Sequence, residues 1–299
     1  MPYLYTCPHC QTKTQVEDRY SGQSGTCVSC GGEIELPRFA VGVTEVPKTN
    51  APRSKIAGVG IAGIVGVILI GCLLLAVVRY GGQTVNRLTS NRDQAQSIRN
   101  LERIAKALNA YAADQGSYPP PFTTDENGRA MHSWRVLILP YLGLDDLYNN
   151  FDLSVAWDDP NNMQNAYQIP AVYKHPKLDS FSESAYFLIA GAATLFPATG
   201  PLGPDSIADD PSQTILVIEA KPTVASGMWT EPMDLEFSGM SGRLGSNSVR
   251  EAGGLFDDGT AIVTVDERGH FLPNSIEPNV FRSLVTPRGG ERLPDDTLD

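Results

Sequence analysis

Four cysteines near the N-terminus are the residues whose types and spacing point most directly to chemistry. They form two C-x2-C pairs, Cys7 with Cys10 and Cys27 with Cys30, separated by 16 residues. This spacing is typical of a zinc ribbon, in which two short turns each supply two thiolates to one tetrahedral Zn²⁺. Because four thiolates fill the coordination sphere, we expect a structural zinc with no open position for a substrate. Two disulfides, or four unrelated cysteines, are the alternatives.

The predicted ribbon covers residues 1–36 and has almost no apolar core. Residues 11–26 are about long enough for one short hairpin. The metal would therefore supply most of the folding free energy. His9 stands between the first two ligands and could replace one of them, but we expect a solvated side chain.

An apolar run from Ile56 to Val78 predicts a membrane-spanning helix. Its 23 residues contain no charge and no proline. At 1.5 Å per residue the helix would extend about 34 Å, enough to cross the hydrocarbon core. A signal peptide is the rival interpretation, but the run is too long and begins too late. The fifth cysteine, Cys72, lies inside the run and is expected to be a small apolar residue.

The predicted orientation depends on the cysteines, because the flanking charges are balanced. Three basic residues precede the span within residues 48–55, and three follow it within residues 79–92. Reduced thiolates persist better in the cytosol. We therefore expect a single-pass protein of the cell inner membrane, with its N-terminus cytoplasmic and its C-terminal domain extracytoplasmic.

The charge distribution argues against nucleic acid as a partner. Residues 116–299 carry 26 acidic and 11 basic residues, a net charge of −15. Within the ribbon, Lys13 and Arg19 are offset by Glu17 and Asp18. Neither part offers the basic face that phosphate contacts require.

The remainder of the chain predicts an α+β domain over residues 79–292, joined to the ribbon by a linker at 37–55. Residues 83–115 show the apolar periodicity of a helix, and Gly116 followed by prolines ends it. The apolar stripe consists of Ile98, Leu101, Ala105, Leu108 and Ala112, continued by Leu88 and Ala95, with Asn100 among the polar residues on the rest of the helix.

Short β-like runs follow this helix. Residues 185–190 and 214–219 are such runs, and Asp258-Gly259 predicts a hairpin turn before residues 260–265. A second turn is expected at 267–269 and a final helix at 280–285. We therefore expect the membrane helix to continue into a long helix packed on an antiparallel sheet, and a disordered tail at 293–299.

Several blocks of this region resemble a known family. In order, they read LNAYAADQGSYPPP, HSWRVLILPYLGLDDLYNN, YFLIAGAATLFP, SQTILVIEA and GLFDDGTAIVTV. They are similar to the planctomycete pseudopilin-like domain of unknown function, which has a C-terminal H-x9-D-G signature. The resemblance covers residues 84–292 and implies a pilin-like fold, as in type IV pilins and type II secretion pseudopilins. It implies no activity.

Two features depart from that family's pattern. Ser248 stands where the signature has its histidine, so a role for that histidine is not transferred. Many members also begin with a cleavable leader followed by Phe and Glu, whereas the span here contains no Glu and follows the ribbon. Because leader removal would discard the ribbon, we expect this chain to keep its N-terminus.

No pattern predicts an enzyme, a small-molecule substrate or a further cofactor. His132, His175 and His270 lie far apart, and no common catalytic motif surrounds them. Acidic residues such as Asp257 and Asp258 are expected to form turns.

The leading hypothesis is a non-enzymatic membrane protein with a structural or assembly role in the cell envelope or a secretion-type apparatus. It would self-associate or bind protein partners. The alternative is a transmembrane adaptor or sensor, with a ligand-binding outer domain and a cytosolic ribbon that docks a partner. A ribbon that tethers nucleic acid to the membrane ranks third.

Overall fold

The structure is a computed structural model that describes residues 3–38, 60–222, 227–245, 251–291, 293–294 and 297–298. The side chains of residues 60–86 lie outside this described part. The chain divides into two compact units, Met1–Leu69 and Ile70–Asp299. Secondary structure is mixed, as expected for an α+β protein.

The first unit contains two antiparallel hairpins in place of the one expected between residues 11 and 26. Each C-x2-C turn connects the two strands of its own hairpin, because the turn reverses the chain and brings its flanks together. A short 3-10 turn, Asp18–Tyr20, lies between the hairpins. The paired strands are β1 (Tyr3–Thr6) with β2 (Lys13–Val16), and β3 (Ser24–Thr26) with β4 (Glu33–Glu35).

A single helix of 56 residues, α1 (Gly60–Gln115), covers most of the run at 56–78 and all of the helix predicted at 83–115. Gly81 and Gly82 lie inside it without ending it. It ends at the predicted position, where Gly116 adopts a left-handed φ of 81°, the conformation that glycine takes at no steric cost.

The predicted span at residues 56–78 lies outside the residues whose side chains the structure describes. Among those that are described, no helix is long and apolar enough to span a bilayer. The membrane span therefore stays a prediction from the sequence.

The centre of the second unit is a four-stranded antiparallel sheet. Its strands are β7 (Tyr186–Phe187), β9 (Ile215–Glu219), β11 (Gly259–Thr264) and β12 (Gly269–Pro273). They lie in the order β12-β11-β9-β7. The runs predicted at 185–190 and 214–219 contain strands.

Two smaller sheets flank the centre. Strand β5 (Phe122–Thr124) pairs antiparallel with β6 (Ala130–Ser133), and β8 (Ile189–Ala190) pairs parallel with β10 (Leu235–Glu236). The described part of the unit also contains four short α-helices, of which the last agrees with the helix predicted at 280–285. They are α2 (Trp134–Leu137), α3 (Asp145–Asn149), α4 (Pro160–Ala166) and α5 (Pro278–Val285).

The sheet has an apolar core on each face. On one face, the predicted stripe of α1 packs with Val217, Ala261 and Val263. On the other face, Ile218 and Ile262 pack with Phe281 and Leu284 of α5. The stripe residues buried to 1% exposure or less are Leu101, Ala105, Leu108 and Ala112, joined by Ile104.

Two residues of α1 differ from the sequence prediction. Leu88, expected on the packing seam, is 65% exposed. Asn100, expected on the polar face, is buried and donates to the Lys174 carbonyl and the Tyr186 hydroxyl. The reason is that the buried face of the helix includes a polar patch, which apolar periodicity alone does not detect.

Asp258 and Gly259 do not form the expected hairpin turn. Gly259 opens strand β11, and the turn between β11 and β12 lies at 265–268, close to the second turn predicted at 267–269. The Asp258 carboxylate accepts a hydrogen bond from the Gln94 side chain of α1. A Cβ on Gly259 would lie 2.4 Å from the Leu272 carbonyl oxygen. The dipeptide therefore fixes the helix to the start of the strand.

The described residues of the tail make contacts, unlike the disordered segment expected at 293–299. Leu293 and Leu298 pack on the second core, and the Leu298 carbonyl accepts from His270 Nδ1 at 2.9 Å. These two leucines place apolar surface at the edge formed by β12, which the polar composition of the tail did not suggest.

We expect Gly259→Ala to destabilise the second unit by about 1–3 kcal/mol, because the added methyl group meets backbone that cannot move aside. Urea unfolding followed by tryptophan fluorescence measures this, since all three tryptophans lie between residues 134 and 229. Gly239→Ala is the matched control, because its Cβ would meet nothing within 4 Å. Equal stability of the two variants would contradict the close approach.

Candidate metal centre and buried polar clusters

Each C-x2-C pair forms the same backbone turn. The Gln11 amide donates to the Cys7 carbonyl at 2.9 Å, and the Gly31 amide donates to the Cys27 carbonyl at 2.8 Å. Gln11 and Gly31 occupy equivalent positions after the second cysteine, with left-handed φ angles of 61° and 72°. The two halves therefore present their sulfur atoms in the same way.

The four sulfur atoms form a compact cluster. All lie within 4.8 Å of one another, with 3.9 Å between Cys7 and Cys30 and 3.8 Å between Cys10 and Cys27. A tetrahedral zinc with Zn–S bonds of about 2.3 Å requires sulfur–sulfur distances of about 3.8 Å. All four cysteines are free thiols, so the structure does not support the disulfide alternative. The donor set fits a metal ion such as zinc.

Electrostatics prepare the cluster for a cation. Hydrogen bonds from the Thr12 hydroxyl and amide lower the pKa of Cys10 to about 6, and the amides of Ser29 and Cys30 lower the pKa of Cys27. For Cys30, the Gly32 amide favours the thiolate, but the neighbouring thiols raise the pKa to about 12. A bound cation would remove the repulsion that prevents all four groups from ionising together.

His9 joins the two hairpins and is not a fifth donor in the cluster. Its Nε2 donates to the Glu33 carbonyl at 2.8 Å, and a Cβ on Gly32 would lie 2.9 Å from its ring. The His9 side chain is exposed, as expected, and it is not a replacement ligand, because its Nε2 is hydrogen-bonded to the Glu33 carbonyl. It fixes one turn against the strand that follows the other.

A buried carboxylate connects α1 to the sheet in the second unit. Glu219 Oε2 accepts from Ser97 Oγ at 2.7 Å and contacts His175 Nε2 at 3.0 Å. The side chains of Glu219 and His175 are fully buried, and Ser97 is 0% exposed. The Lys177 amide donates to His175 Nδ1, so Nε2 carries the proton and donates to the carboxylate.

This cluster lacks the order of a nucleophilic triad. Such a triad needs the imidazole between the hydroxyl and the carboxylate, so that it can take the hydroxyl proton. In this structure Glu219 lies in the middle, and both Ser97 and His175 donate to it. The arrangement stabilises a carboxylate under the helix and does not activate Ser97.

A second buried ion pair joins α2 to the neighbouring strands. Arg135 Nη2 lies 3.3 Å from Asp234 Oδ1 and 2.6 Å from the Tyr186 carbonyl. The same carboxylate oxygen accepts from Trp134 Nε1 and from the Leu188 amide. Breaking a buried pair of this kind typically costs about 3–5 kcal/mol, because the remaining charge stays buried.

His132 is buried, with 2% of its surface exposed, and the sequence indicates no hydrogen-bond partner for it. Its ring nitrogens have no hydrogen-bond partner among the described residues. Burial lowers its pKa, an effect that the nearby backbone of Val155 and Leu153 offsets only in part. The imidazole is therefore held neutral.

Other polar residues of the second unit form turns and contacts with the tail. Asp209 accepts from the amides of Gly289 and Gly290, and Asp210 caps a 3-10 turn through Ser212. His270 contacts the tail, and Ser248 lies outside the described residues.

The two buried pairs were missed from sequence because their members lie far apart. His175 and Glu219 are 44 residues apart, and Arg135 and Asp234 are 99 apart. The only signal available was a charged residue within an apolar run, as at Glu219 and Arg135. A charged residue in an apolar run predicts that the side chain is buried, but it does not predict which residue pairs with it.

We expect the full-length chain to bind one zinc ion, and Cys7→Ser with Cys10→Ser to lose it, because two of four ligands disappear. Residues 1–36 should then unfold while the second unit stays folded. Zinc is measured by mass spectrometry, and folding by amide hydrogen exchange. Cys72→Ser, which removes a cysteine outside the cluster, should retain zinc; full retention by the double variant would rule out the site.

His132 should make the second unit less stable in mild acid. Because burial lowers its folded-state pKa, the unfolded chain takes up the proton first, and the free energy of unfolding falls as pH drops through about 6.5. Between about pH 7.5 and pH 5.5, His132→Gln should show a smaller loss of stability than the parent. His9→Gln, in the other unit, should leave the slope unchanged. Equal slopes for all three proteins in urea unfolding would contradict this.

Comparisons with known proteins give one partial match. No curated protein and no solved structure matches the chain. Residues 91–200 match the model of a family described as "Protein of unknown function (DUF1559)". This segment runs from α1, through β5 and β6, to the turns that follow β8. That part of the chain is therefore similar to an uncharacterised domain family.

Proposed function

We propose that this chain is a non-enzymatic, single-pass protein of the cell inner membrane. A pseudopilin-like extracytoplasmic domain would serve a structural or assembly role in the envelope. The observation that carries the proposal is α1, because one continuous helix joins most of the apolar stretch at 56–78 to the stripe packed on the sheet.

The length of α1 supports an anchoring role. Its 56 residues extend about 84 Å at 1.5 Å per residue, of which a bilayer core needs about 30 Å. Residues 97–112 are stabilised by packing on the sheet. The sequence from residue 60 to 78 is apolar on every side, which is typical of a helix in lipid or in a large core.

The contacts of the buried polar residues support the proposed absence of catalysis. Ser97, Glu219 and His175 are sealed from solvent, and the order of their hydrogen bonds does not activate a nucleophile. Asp234 and Arg135 form an ion pair with each other and hydrogen bonds with backbone groups.

The ribbon would hold a structural zinc and dock a protein partner on the cytoplasmic side. The four-cysteine cluster is closed, so its metal would offer no position to a substrate. Apolar side chains are nevertheless exposed on this unit, with Leu4 57%, Tyr20 44% and Val28 90% exposed. A small unit that presents such residues is suited to protein contacts.

Self-association through α1 is the form of assembly that the exposed residues favour. Leu88 is 65% exposed on the helix, before the residues that pack on the sheet. A large apolar side chain there can pack on the same helix of a second copy. The second candidate, an adaptor or sensor, is favoured by a groove of about 1050 Å³ in the second unit.

Orientation is tested by labelling intact cells with a membrane-impermeant maleimide. Asp179→Cys adds an exposed cysteine to a region with no cysteine after Cys72. We expect that cysteine to be labelled in intact cells, and the ribbon cysteines only after lysis and chelation. Protection of position 179 in intact cells, with labelling only after lysis, would reverse the topology.

Assembly is tested by amine cross-linking of the same cells, followed by immunoblotting. We expect a ladder of regular multiples, weakened by Leu88→Ser and unchanged by Phe181→Ser, a matched loss of an exposed apolar residue away from α1 (78% exposed). A single shifted band would instead indicate one dedicated partner and favour the adaptor. A ladder equally strong in both variants would contradict assembly through α1.

A further inference from the structure

The groove of about 1050 Å³ lies between strands β5 and β10 of the second unit. All residues of both strands line it, together with the turns at 190–192 and 196–201. Its walls are rich in proline, including Pro120, Pro121 and Pro232. The volume lies at the upper end of the range of about 300–1,000 Å³ typical of small-molecule sites, which leaves room for a segment of polypeptide.

Both strands that line the groove have an edge without a strand partner. Within the described residues, β5 pairs only with β6, and β10 pairs only with β8. Such an edge presents unpaired backbone amide and carbonyl groups, which an added extended chain can satisfy. The groove therefore offers backbone hydrogen bonding in addition to apolar contact.

The charge of the groove selects for a basic occupant. Asp234 and Glu236 line it, and the lining contains no Lys, Arg or His. The side chain of Asp234 is 3% exposed and pairs with Arg135 beneath the groove. Glu236 is exposed, so its carboxylate is the negative charge that an occupant meets.

We propose that this groove binds an extended segment of a partner polypeptide, which lies between β5 and β10 and places a lysine or arginine against Glu236. The site is independent of the proposed membrane role, because it depends only on the second unit.

The test uses the full-length chain in detergent micelles and two pools of random heptapeptides, one with lysine and one with glutamate at the centre. We expect the lysine pool to be retained about tenfold better than the glutamate pool. Backbone N-methylation of the selected peptides should abolish binding, because it removes the amides that pair with a strand edge.

Two pairs of variants locate the binding. Ala192 lines the groove and Ala193 does not, and both are exposed. Ala192→Trp should weaken binding of the selected peptides about tenfold or more, while Ala193→Trp leaves it unchanged. Glu236→Lys should remove the preference for lysine, whereas Asp179→Lys, with the same change in net charge, should keep it. Thermal melts by circular dichroism check that all four variants fold.

Retention of neither pool would overturn the proposal, as would equal binding by Ala192→Trp and Ala193→Trp. A lysine preference that survives Glu236→Lys but is lost in Asp179→Lys would also overturn it, because that preference would come from the general acidity of the domain. None of these results depends on the cell labelling, so the membrane role and the groove can fail separately.

Discussion

The packing of α1 on the four-stranded sheet is the constraint on which the second unit depends. Its apolar stripe supplies one side of the core, and close contacts fix its position along the sheet. At one end of the contact, Gln94 of the helix donates a hydrogen bond to Asp258. At the other end, Asn109 donates to the Val265 carbonyl. A glycine at position 269 lets the helix approach, because a Cβ there would lie 2.4 Å from Ile98. The register of helix and sheet is therefore set by polar and steric contacts, while apolar burial supplies the main stabilisation.

Buried charge adds specificity to this packing. Glu219 lies beneath α1 with donors from the helix and from His175, and Arg135 with Asp234 fixes α2 to its neighbouring strands. A buried pair contributes little net stability compared with apolar residues of the same size. The pair instead destabilises alternative packings, because in those a charge would remain buried without a partner. In the ribbon, the described buried apolar residues are Cys7 and Cys27, and the four sulfur atoms lie close enough together to hold a metal ion.

Local features were predicted well because their causes lie within a few residues. The spacing of Cys7, Cys10, Cys27 and Cys30 indicated a metal site, and the structure brings the four sulfur atoms together. Gly116 ends α1 where expected. Errors appeared where a distant partner decides the outcome. Asn100 was predicted on the surface, but it is buried against the Lys174 carbonyl and Tyr186. Asp258-Gly259 was predicted as a hairpin turn, but it contacts α1 at the start of a strand.

By itself, the sequence determined the cysteine cluster, the helical stripe, the positions of strands β7 and β9, and the acidity of the second unit. These follow from spacing, periodicity and composition, which act over a few residues or over the whole chain. Only the tertiary structure decided which polar groups meet, namely Glu219 with His175 and Arg135 with Asp234, and that β5 and β10 border one groove. Such contacts join residues tens of positions apart, and no local pattern encodes them, because any buried carboxylate accepts any donor that folding brings within reach.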